Sequence, residues 1–63
     1  MIAVTRLNGQ RFVVNAEQIR YLETTPDTVI TLLNGEKLMV KETMEEVITL
    51  VIQYHRQIHI FSS

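Results

Sequence analysis

A chain of 63 residues has room for one domain, and a domain that short buries only about 60% of the surface its unfolded form exposes. Cysteine is absent, which excludes disulfides and thiolate zinc sites and leaves oligomerisation as the route to extra stability. Six Lys and Arg against seven Asp and Glu give a formal net charge of −1, which argues against non-specific binding to nucleic acid.

The first six residues, Met1 to Arg6, lack the basic start and long apolar run of a signal peptide. No apolar run approaches the roughly 20 residues of a membrane-spanning helix. The expectation is a soluble chain of a reducing cytoplasm, without direct membrane insertion.

Ile2 to Leu7 is rich in strand formers and ends at Asn8-Gly9, a dipeptide suited to a type I′ hairpin turn. Arg11 to Val14 resumes the extended pattern. Asn15 to Gln18 reads as a single turn capped by Asn15. Ile19 to Thr24 is a third strand, broken by Thr25-Pro26-Asp27, where proline cannot donate to a ladder. Thr28 to Leu33 and Glu36 to Val40 flank a second such turn at Asn34-Gly35. The two hairpins also match in sequence. Thr5 to Val14 aligns with Thr31 to Val40, with Thr, Leu, Asn, Gly and the final Val at equal positions. Convergence on one turn chemistry and duplication of one unit both account for that match.

Thr43 followed by Glu46 is a capping box, and from Met44 the alternation of strands gives way to a helix over 44–60. Its apolar residues from Met44 to Ile58 sweep an arc of about 200°, twice the stripe that packing on one sheet requires. Ile48 and Ile52 lie on one flank and Leu50 and Tyr54 on the other. Val51 and Ile58, between them, are expected to face the sheet. Thr28 to Leu33 carries apolar residues on both faces, Val29 and Leu33 on one and Ile30 and Leu32 on the other, as in a strand buried on both sides. The chain therefore reads as one α+β domain over 1–63. A small antiparallel sheet of about five strands within 2–40 is followed by one amphipathic helix, assembled as a homo-oligomer. The expected interface draws on Val29, Ile30, Leu32, Ile48, Leu50, Ile52 and Tyr54.

Residues that could carry chemistry are few. His55 and His59 fall four apart on one helix face, but no acid lies one turn away, so a solvated pair is the preferred reading. Ser62 and Ser63 are the only serines and lie at the chain end. Glu17, Glu23, Asp27, Glu36, Glu42, Glu45 and Glu46 show no pairing that separates an acid from a base and read as solvated surface. The two glycines sit singly in turns, so no phosphate cradle is spelled out. Arg6, Arg11, Arg20, Lys37 and Lys41 could form a basic stripe with Tyr21 as a stacking platform, yet acids interleave with them. The expectation is a binding protein rather than an enzyme, with no metal and no cofactor. Arg6, Arg20 and Tyr21 offer a second partner face.

Several blocks together resemble a known family. They are Ile2-x-Val4-Thr5-Arg6-Leu7-Asn8-Gly9, Phe12-Val13-Val14-Asn15-Ala16-Glu17-x-Ile19, Glu23-x-Thr25-Pro26-Asp27-Thr28 and Leu33-Asn34-Gly35-x-Lys37. With Val40-Lys41-Glu42-x-x-Glu45-Glu46-Val47-Ile48 they resemble the FlbD/SwrD family of small bacterial flagellar proteins over nearly the whole chain. The resemblance implies a cytoplasmic accessory protein of motility, peripheral at the flagellar base, that supports swarming by raising flagellar motor power through stator or basal-body components. It brings no catalytic residues. The alternative function is a small nucleic-acid-binding regulator of flagellar gene expression.

Overall fold

The computed structural model describes the backbone of residues 1–62 and the side-chain surroundings of residues 1–56. In chain order the described residues form β1 (Ile2–Thr5), β2 (Arg11–Val14), a 3-10 turn (Ala16–Gln18), β3 (Ile19–Glu23), β4 (Thr28–Leu32), β5 (Lys37–Val40) and α1 (Met44–Ser62). The α+β class is as expected from the sequence. Asn15 caps the 3-10 turn by accepting from Glu17 N at 3.0 Å. No helix among the described residues is long and apolar enough to cross a membrane.

The two Asn-Gly turns are alike in every hydrogen bond. Arg6 N donates to Gln10 O at 2.8 Å and Gly9 N to Arg6 O at 2.9 Å; Leu32 N donates to Glu36 O at 2.8 Å and Gly35 N to Leu32 O at 2.9 Å. Asn8 Oδ1 accepts from Gln10 N and Asn34 Oδ1 from Glu36 N, each at 2.9 Å. Among the described residues, positive φ is confined to Gly9, at 92°, and Gly35, at 90°. A type I′ turn would need it at the asparagines as well. These are instead three-residue loops in which a type I turn is closed by a left-handed glycine. The asparagine stays right-handed because its side chain ties forward to the backbone two residues on.

The strands make two sheets rather than the single sheet of five expected. β1 pairs with β2, while β4 lies between β3 and β5, all antiparallel. The 3-10 turn redirects the chain after Val14, so β2 and β3 are not ladder partners. The sheets meet at their other ends, where Arg6 bridges Val40 and Lys41 N donates to Thr5 O at 2.8 Å. Ile2, Val4 and Val14 from one sheet close on Ile30 and Val40 from the other, with Ala16 and the Val47 of α1 completing the core. Phe12, Ile19, Leu22, Leu32 and Leu38 pack around it.

The apolar character of both faces of β4 has two explanations. Ile30 is fully buried in the core and Leu32 packs against it. Val29 and Thr31 point the other way, yet are only 7% and 2% exposed. Their covers are Glu23 and Met39 beside Val29, and Tyr21 and Lys37 beside Thr31. Lys37 Nζ and Glu23 Oε1 approach to 3.7 Å across the strand. The Thr31 hydroxyl has no hydrogen-bond partner among the described residues.

Candidate interaction surface

Thr43 and Glu46 exchange the two bonds of the capping box. Glu46 N donates to Thr43 Oγ1 at 3.1 Å, and Thr43 N to Glu46 Oε1 at 3.0 Å. That start fixes which face of α1 turns inward. Val47 is wholly buried, and Leu50, Val51 and Tyr54 pack against the core, the i, i+3, i+4, i+7 stripe of an amphipathic helix. The inward stripe is therefore centred nearer Val47 and Leu50 than the sequence suggests, and the flank of Leu50 and Tyr54 belongs to the subunit's own core side. Tyr54 lies near Glu17 of the 3-10 turn. Burial first, and then the Glu17 carboxylate, push its phenol above the ordinary range.

Ile48 and Ile52 remain outside, 42% and 46% exposed. They border a groove of about 250 Å³ between α1 and β3, floored by Ala16, Ile19, Leu22 and Val51 with His55 at one end. Isoleucines are costly to leave in water, and two on one flank of a helix form an apolar surface without cover in the subunit. A wider hollow of about 440 Å³ separates the start of α1 from the outer side of β1 and β2. Its lining includes Arg11, Glu42, Glu45 and Glu46, and Arg11 is engaged with Glu42 at 3.8 Å. That hollow is a junction of the fold rather than an open apolar seat.

The junction contains a residue that the sequence reading assigned to solvated surface. Glu42 directly follows Lys41 at the end of β5, where the backbone ladder to β1 runs out, and its carboxylate takes the place of the next partner. Oε1 accepts from Thr5 N and Oε2 from Thr5 Oγ1, each at 2.8 Å. Arg11 Nη1 donates to Thr5 Oγ1 at 3.2 Å. Burial alone would raise the Glu42 pKa. The two Thr5 bonds, its own backbone N–H and the Arg11 charge outweigh that and hold it below the ordinary value of 4.5. Thirty-seven residues separate the bonded pair, so no local spacing announces it.

Of the three residues expected to form a second partner face, Arg20 and Tyr21 lie on β3 and Arg6 follows β1. Arg6 lies over the Phe12 ring, 4.1 Å from its centroid, at a hollow between the two hairpins. Tyr21 stands 46% exposed on the outer side of β3, and Arg20 occupies the register shift between Ile19 and Tyr21. His55 is exposed and meets Tyr54 edge-on at 5.6 Å. The side chains of Ile58 and His59 lie outside the described residues.

The sequence model of a family described as flagellar and swarming motility proteins, FlbD, matches residues 1–59. The chain belongs to the FlbD family. No curated protein and no solved structure matches it. The FlbD match spans both hairpins, the Glu42 junction and the helix as far as residue 59, so the exposed flank of α1 lies within the family unit.

Proposed function

We propose that this FlbD-family protein supports swarming by increasing flagellar motor power, and that it acts by protein–protein binding as a homo-oligomer. The observation that carries this reading is the exposed pair Ile48 and Ile52 beside the α1–β3 groove, an apolar surface that its own subunit leaves uncovered. Family membership supplies the motility context. The partners in this reading are further copies of the chain and cytoplasmic parts of the stator or basal body. The place of action is the cytoplasm at the base of the flagellum. Nucleic acid and membrane insertion have no part in it.

Crosslinking in swarming cells, with a photoreactive residue replacing Ile52, followed by mass spectrometry of captured proteins, tests the binding mode. Capture of the chain itself, with stator or basal-body proteins co-purifying with the crosslinked pair, is the expected result. Capture of neither, from cells whose swarming depends on the protein, contradicts it.

A further inference from the structure

The exposed stripe of α1 carries charge as well as apolar surface. Glu45, Ile48, Ile52 and Arg56 follow one another at intervals of three, four and four residues, and all four are exposed. At 100° per residue they occupy an arc of about 80°, and Ile52 lies about 150° from the direction of the core-facing residues. Glu46 is bound into the capping box, whereas no hydrogen bond or ion pair to the Glu45 carboxylate is present among the described residues. The stripe thus has an acid at its start, two isoleucines at its centre and a base at its end.

We infer that a second copy of the chain covers this stripe, its α1 lying antiparallel about a two-fold axis between Ile48 and Ile52. This rests on the self-association proposed above and specifies its geometry. The spacing along the helix makes the stripe self-complementary. At 1.5 Å per residue, Glu45 lies about 7.5 Å before the midpoint of the isoleucines and Arg56 about 9 Å after it. Reversing one helix against the other brings Glu45 opposite the Arg56 of the second copy to within about one residue's rise. The same operation makes the pair twice, and it places each Ile48 against the other copy's Ile52. A parallel pair would set Glu45 against Glu45 and Arg56 against Arg56. Charge therefore selects the antiparallel arrangement.

The test is a charge reversal read by analytical ultracentrifugation at low salt. Glu45→Arg alone, and Arg56→Glu alone, each replace two attractive contacts with two repulsive ones and should weaken self-association on the order of tenfold. A one-to-one mixture of the two single variants restores both oppositely charged pairs between unlike chains and should recover association. The substituted positions are eleven residues apart, too far to interact within one helix, so recovery reports contact between copies. Circular dichroism confirms that each variant is folded. A parent chain that stays monomeric at millimolar concentration overturns both this pairing and self-association. A parent that assembles while single variants and mixture behave alike overturns the antiparallel pairing alone.

Discussion

Gly9 and Gly35 sit at φ of 92° and 90° with open space where a Cβ would stand, since no heavy atom lies within 4 Å. A side chain there meets no neighbour, so the penalty of substitution is backbone strain alone. Gly9→Ala and Gly35→Ala should each cost about 1–2 kcal/mol, the ordinary price of a left-handed residue with a Cβ. In a domain of this size that lowers Tm by roughly 5–15 °C. Thermal melts of the two variants check it, and equal effects are expected because the turns share every hydrogen bond. Glu42 works differently, through charge. Its pKa is depressed in the folded chain, so its contribution is complete well above pH 4.5 and is lost as pH falls through 4.5 toward the folded value. Glu42→Gln should lower stability at pH 7 by about 1–2 kcal/mol. Urea titrations at pH 7, 5 and 3 should show the parent losing stability toward acid more steeply than the variant. Parallel losses in both would assign the acid sensitivity to other groups. The glycines were legible from Asn-Gly alone, although the turn type was not, because the asparagine's forward bond competes with the geometry expected of that dipeptide.

For the helix, the boundary was easier to read than the orientation. Thr43 and Glu46 marked the start because a capping box is local chemistry. The inward face was harder, because an apolar arc of about 200° contains several stripes that could meet a sheet. Packing chose Val47, Leu50, Val51 and Tyr54, and left Ile48 and Ile52 outside. Val47→Asp should therefore leave no folded protein, since it places a carboxylate in the centre of the core. Ile52→Glu should retain parental circular dichroism and a Tm within a few degrees, while reducing assembly. Near-equal loss of fold in the two variants would show that both faces are structural. The strands followed the same division. Their limits and partners within each hairpin could be read from turn residues. The split into two sheets could not, because it depends on where the 3-10 turn sends the chain and on a carboxylate 37 positions from its donors.

As a whole the molecule measures 39 × 23 × 18 Å with a radius of gyration of 11.8 Å. A compact chain of this length would have about 10.6 Å. The excess follows from a 19-residue helix, about 28 Å long, set on a body of short strands. A small core carries a long helix with one uncovered flank, in a chain that belongs to a family of flagellar and swarming motility proteins. The central proposal is that assembly through the Ile48–Ile52 flank is required for the protein's support of the flagellar motor. Single-motor torque from tethered-bead rotation, in cells whose only copy carries Ile52→Glu at parental abundance, tests it most directly. Torque reduced to that of cells lacking the protein is the predicted result. Parental torque from this folded variant would contradict the claim.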